Sequence, residues 1–86
     1  MEEFRNIEDF TEEQLEKFYK KIGSNVARLR KEANLSQLAL SYELGNKSPS
    51  LISSAEIYTN KRHFNIAQLH KIAQILDIDI AEFLKY

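Results

Sequence analysis

The chain of 86 residues contains no cysteine and no tryptophan, with only two glycines and one proline. Lack of cysteine excludes disulfides and thiolate-held zinc, so stability has to come from packing of the chain on itself. No apolar run approaches the ~18 residues of a membrane span. The N-terminal MEEFRNIEDF is acidic and has no apolar core, so it does not read as a secretory signal and a cytoplasmic address is expected. Internal repeats and low-complexity segments are missing too.

Catalytic constellations are equally scarce. The sequence offers no nucleophile–base pair, no phosphate-cradling glycine loop and no cluster of metal ligands. Glu12, Glu13 and Glu16 open a helix, where acids favour the dipole without doing chemistry. His63 and His70 lack the spacing and partners of a zinc site, and His70 falls beside an apolar stripe, as surface histidines do. The expectation is a protein that is no enzyme and needs no metal or cofactor.

What is present is a polarity of charge hidden by the net value of −1. Residues 1–16 carry seven acids against Arg5, a balance of −6, whereas residues 17–71 carry ten Lys/Arg against three acids, a balance of +7. A like-charged block is often only a solvated face, but here the basic block coincides with the helix pair described below, which favours a polyanionic partner. The acidic stretch 1–10 reads as an arm, with Phe4, Ile7 and Phe10 able to dock on something; it could hold another protein or compete with a polyanion for the basic face.

Hydrophobic residues make up 43% of the chain and charged residues 29%, ordinary for one small globular domain. Such a short chain buries only about 60–65% of its unfolded surface, so one modest core is the ceiling. Thr11-Glu12-Glu13-Gln14 is a capping box, and from it Leu15, Phe18, Ile22, Val26, Leu29 and Ala33 recur with helical spacing. The stripe crosses Gly23 in phase, predicting one helix over 12–32 that Asn34 can end in the left-handed conformation, with a break at Gly23-Ser24 as the alternative. Asn65-Ile66-Ala67-Gln68 repeats the capping logic for a helix to about Leu76, and Asp79 caps a further short helix carrying Phe83 and Leu84. Tyr19, Tyr42, Tyr58 and Tyr86 are not interleaved with basic residues as a base-stacking platform requires, and core-edge packing suits them better.

Between these lies LSQLALSYELGNKSPSLISSAE, residues 35–56. Ser36 is a good N-cap and Gly45 a good stop for a helix over 37–44. Ser48-Pro49 then supplies a hydroxyl cap followed by proline at the first helical position, predicting a helix over 49–57. Leu40, Leu44, Ile52, Ala55 and small Ser41 can face one another across the turn, leaving one helix outward as a probe. A helix-turn-helix has this layout.

In order along the chain, IGSNVARLRKEANLSQ, LSYELG, SPSLISSAE and FNIAQLHKIAQILDIDIAEFL resemble the phage repressor and Cro-like helix-turn-helix regulators, the XRE family, over residues 22–84. The resemblance implies an all-α, five-helix, lambda-repressor-like domain over residues 11–86 with an extended N-terminal helix. It implies a DNA-binding transcriptional regulator, a repressor in the first instance, that inserts helix 49–57 in the major groove of double-stranded DNA. Carried over, it gives Gln37 a phosphate contact, puts Pro49, Ser50 and Ser54 at base edges, and makes Arg30 and Glu56 a structural ion pair.

The same resemblance has three departures. Asn46-Lys47 lengthens the turn before the recognition helix, the segment from Ile57 to Phe64 is also longer, and Tyr58 stands where glycine is common, so the helix is expected to run on to Asn60. The base-facing positions Pro49, Ser50, Leu51, Ser53 and Ser54 include no Arg, Asn or Gln for bidentate contacts to guanine or adenine. Affinity is expected instead from Lys47 and Ser48 before the helix and Asn60, Lys61, Arg62 and His63 after it. Weak readout by one copy calls for a homodimer on two half-sites, through Ile80, Phe83, Leu84 and Tyr86 or through Phe10, Leu15 and Phe18. The alternative is a protein-interaction module, such as an antitoxin-like domain that binds a partner protein.

Overall fold

The computed structural model describes residues 11–86. The expected acidic arm, with Phe4, Ile7 and Phe10, lies outside the described residues. Four α-helices follow in order: α1 Glu12–Glu32, α2 Gln37–Glu43, α3 Ser50–Ile57 and α4 Ile66–Leu76, with 3₁₀ turns at Thr59–Lys61 and Ile80–Leu84. The fifth helix expected after Asp79 is therefore a 3₁₀ turn. Five residues are too few to offset the cost of nucleating an α-helix. The Asp79 carboxylate instead accepts from Ala81 N–H at 2.8 Å, and Glu82 N–H bonds the Asp79 carbonyl at 3.0 Å.

Helix ends account for most of the topology. Both capping boxes form: Gln14 N–H donates to the Thr11 hydroxyl at 3.1 Å and Gln68 N–H to the Asn65 side chain at 2.7 Å. Asn34, Gly45 and Asp77 take φ of 60°, 87° and 57° just past α1, α2 and α4. In each case the N–H groups of that residue and of the next one close back on the helix, as in Asn34 to Lys31 O at 2.9 Å and Leu35 to Arg30 O at 3.1 Å. The start of α3 differs from expectation, because Pro49 is the N-cap and not the first helical residue. Ser48 lies one position too early to cap; its hydroxyl is 3.4 Å from Ser50 N, while the Pro49 carbonyl accepts from Ser53 N–H at 2.8 Å.

The core is Ile22, Val26, Leu40, Ile52, Ala55, Phe64, Leu69, Ile72, Ala73 and Phe83. Of the facing set expected across the α2–α3 turn, Leu40, Ser41, Ile52 and Ala55 are fully buried, whereas Leu44 is half-buried and packs at the edge of the core. Along α1 the apolar stripe changes character: Ile22 and Val26 are buried, but Leu15 is 48% exposed and Phe18 37%. The helix thus overshoots the core by two turns. Phe83 has no exposed surface, so it is a core residue and not part of any dimer face.

Two buried polar residues show how tightly the core is drawn. Asn25, which the apolar pattern passes over, donates both amide hydrogens, to Phe83 O at 2.9 Å and Lys85 O at 2.7 Å, and so pins the C-terminal turn to α1. Ser41 is the opposite case, since its hydroxyl is buried without a partner among the described residues. A stranded hydroxyl costs about 1–3 kcal/mol, and alanine is also the better helix former by a few tenths. Ser41→Ala is therefore expected to stabilise the domain by about 1 kcal/mol, raising the melting temperature by about 4–8 °C in a thermal unfolding scan.

Candidate nucleic-acid interface

The probe helix is held from behind by a buried charge network. Arg30 on α1 and Glu56 on α3 pair bidentately, Nε to Oε2 at 2.7 Å and Nη2 to Oε1 at 3.1 Å. Their side chains keep only 7% and 3% of their surface exposed. Arg30 Nη1 also donates to Leu35 O at 2.7 Å, so a single residue clasps the α1–α2 turn through both of its ends. Gln37 Nε2 donates to Glu56 Oε1 at 2.8 Å and brings α2 into the same network. An Arg–carboxylate fork of this kind fixes orientation as well as neutralising charge.

The approach of α3 to α1 depends on Gly23. A Cβ there would lie 2.5 Å from Glu56 O and 2.6 Å from Ala55 O, so the last turn of α3 rests on a helix surface that has no side chain. The α1 helix is continuous through this position, and the break considered at Gly23-Ser24 does not occur.

Thus α2, a short turn and α3 are locked as a unit onto α1. Residues 26–83 match the family model described as helix-turn-helix. The chain belongs to this helix-turn-helix family, of the Cro and repressor type. No curated protein and no solved structure was found to match it. The helix-turn-helix match begins within α1 at Val26, so the overshooting first turns of α1 lie outside the family span.

On the outward face of the helix-turn-helix, Lys47, Ser48, Pro49 and Ser50 are exposed, while Leu51, Ser53 and Ser54 are half-buried. Several of the serine hydroxyls are already engaged. Those of Ser48 and Ser50 are 2.8 Å apart, and the Ser53 hydroxyl donates to Ser50 O at 3.2 Å. The Ser50 N–H of α3 already leans on the Ser48 hydroxyl at 3.4 Å, and no side chain caps the N–H groups of Leu51 and Ile52, which stay open to an anion.

Beyond α3 the chain departs from expectation. The helix does not run on to Asn60; it stops at Ile57, and Tyr58 itself takes the left-handed cap at φ 61°. Asn60 and Lys61 follow at φ 53° and 63°. Non-glycine residues in this region cost about 1–2 kcal/mol each, so something must hold the segment. An aromatic stack does so: the His63 ring lies 3.8 Å from Tyr19 and Tyr58 lies 5.9 Å from Tyr19, centroid to centroid.

This stack divides the four expected contact residues. Asn60 and Arg62 are exposed, and Arg62 has no ion-pair partner among the described residues. Lys61 Nζ stands 4.0 Å from Glu12 Oε2, across a groove of about 410 Å³ that also includes Glu13, Glu16 and Tyr58. His63 is committed to Tyr19, with its Nδ1–H directed to Lys61 O at 3.2 Å. Tyr19 packs at the core edge and Tyr58 stacks on it, whereas Tyr42 is 59% and Tyr86 82% exposed.

One residue beside α3 escaped the sequence pattern. Lys71 on α4, visible there only as part of the basic balance, shares a small cleft with Gln68, Leu51 and Asn46. Its helix comes next to the turn only through the tertiary packing of α4.

Proposed function

We propose that this helix-turn-helix protein is a sequence-specific transcriptional regulator, a repressor that occupies operator DNA in the cytoplasm, with α3 in the major groove. The observation that carries the reading is the Arg30–Glu56–Gln37 network, which fixes α3 against α1 and α2 while leaving its first turn uncapped and outward. Gln37 has a second amide hydrogen, which serves a DNA phosphate while the first holds Glu56. Pro49, Ser50, Ser53 and Ser54 meet base edges, and Lys47, Ser48, Asn60, Lys61, Arg62 and His63 flank the groove. Among these Lys47 and Arg62 carry most of the phosphate attraction, since Lys61 faces a carboxylate and His63 is stacked. Two copies on half-sites about one helical turn apart supply the specificity that serine hydroxyls alone do not.

The test is selection from a random duplex library at fixed salt, then titration of the winner against scrambled DNA over a salt series. One sequence family should be enriched. Lys47→Ala and Arg62→Ala should each weaken binding to both duplexes and flatten the log K against log salt slope by about 0.9. Enrichment of no sequence would defeat the operator reading. The engaged hydroxyls of Ser48, Ser50 and Ser53 favour one other reading, an antitoxin-like module whose main partner is a protein. Failure to enrich any duplex, together with a stable complex with a co-encoded protein, would establish that alternative.

A further inference from the structure

We propose that residues 1–10 of this chain dock in an apolar trough between the overshooting turns of α1, the start of α4 and the C-terminal 3₁₀ turn. The trough, about 360 Å³, is walled by Phe18, Phe64, Ile66, Leu69 and Leu84. Phe18 also lines a neighbouring depression of about 320 Å³, together with Thr11, Gln14 and Leu15. Ile66 is 73%, Leu15 48%, Leu84 44% and Phe18 37% exposed. A contiguous apolar surface of this kind is a binding surface more often than an accident of composition.

Three observations select the occupant. The first is position: Thr11 lines the depression and caps α1, so the segment that precedes it in the chain is tethered beside the trough. Phe18 is about 10 Å further along α1, well within the ~33 Å that ten extended residues can span. The second is pattern, since Phe4, Ile7 and Phe10 recur every third residue among acids.

The third is charge. Residues 1–10 hold Glu2, Glu3, Glu8 and Asp9 against Arg5. On α1, Lys17 and Lys21 follow Gln14 and Phe18 along one face, and Lys21 Nζ lies 5.9 Å from the Tyr86 ring centroid. The other side of α1 presents Glu12, Glu13 and Glu16, which repel an acidic segment and leave the trough as its route. The acidic arm has the sign complementary to Lys17 and Lys21.

The chain's freedom from cysteine makes the test clean. Asn6→Cys in the full chain carries a single nitroxide label, and paramagnetic broadening of methyl signals is read by NMR. The Ile66, Leu69 and Leu84 methyls should lose most of their intensity, and the loss should vanish when Phe4, Ile7 and Phe10 are all changed to serine in the labelled chain. Unbroadened Ile66 and Leu84 methyls overturn the proposal. So does broadening that survives the serine changes, or that arises equally between a spin-labelled chain and a separate isotope-labelled one, which would mark a second copy as the occupant. None of these readouts involves DNA.

Discussion

Gly23→Ala is expected to lower the melting temperature by about 10 °C, although alanine is the better helix former by about 1 kcal/mol. The new methyl would need space occupied by the Ala55 and Glu56 carbonyl oxygens, at 2.6 and 2.5 Å. Those are backbone atoms on a packed helix and cannot swing aside as a flexible side chain would. Overpacking of this kind costs about 1–3 kcal/mol and sometimes more, and a backbone obstacle puts Gly23 at or above the upper end, so the net loss is about 2 kcal/mol. Circular dichroism on the variant beside wild type decides the matter. A melting temperature unchanged or raised would mean that α3 does not rest on α1 as described.

The second large effect is expected at Glu56. Glu56→Ala leaves the Arg30 guanidinium buried with only the Leu35 carbonyl, and removes the acceptor for Gln37. Losing one partner of a buried pair costs about 3–5 kcal/mol, a large share of the about 5–15 kcal/mol that stabilises a typical domain. Partial unfolding at 37 °C is the expected result, read by urea titration. Replacing both partners, Arg30→Met with Glu56→Leu, should recover most of that loss, because the burial of unpaired charge disappears along with the pair. If Glu56→Ala cost no more than an exposed ion pair, about 1 kcal/mol, the network would be an ornament of the surface. The double variant also separates stability from the proposed function: a folded protein whose α3 has lost its fork should bind the duplex selected from the library less tightly.

Much of this architecture is legible in the sequence because it is written in local rules. The two capping boxes, Asn34 and Gly45 at helix ends, and the periodic stripe of α1 depend on neighbours within four residues. The Arg30–Glu56 pair became visible only through family resemblance, since 26 residues separate its members. Asn25 could not be found that way: it reads as a polar interruption of an apolar face, and its carbonyl partners lie some 60 residues away. Gly23 was visible as a cost to the helix, but the benefit belongs to α3 and needs the packed structure to be seen. The loop after α3 differs from what the sequence predicts for a related reason. Glycine is the cheap solution to a left-handed cap, and only the Tyr19–Tyr58–His63 stack explains why tyrosine serves instead.

The hydrogen bonds of Asn25 also bear on how the domain is made. Its side chain sits in the first helix, yet its two acceptors belong to Phe83 and Lys85. During synthesis α1 emerges first and must wait, with Asn25 and the seat of Phe83 open, until the C-terminal turn has left the ribosome. Closure joins the two ends of the domain in a single late event, and contacts of such long sequence separation slow folding.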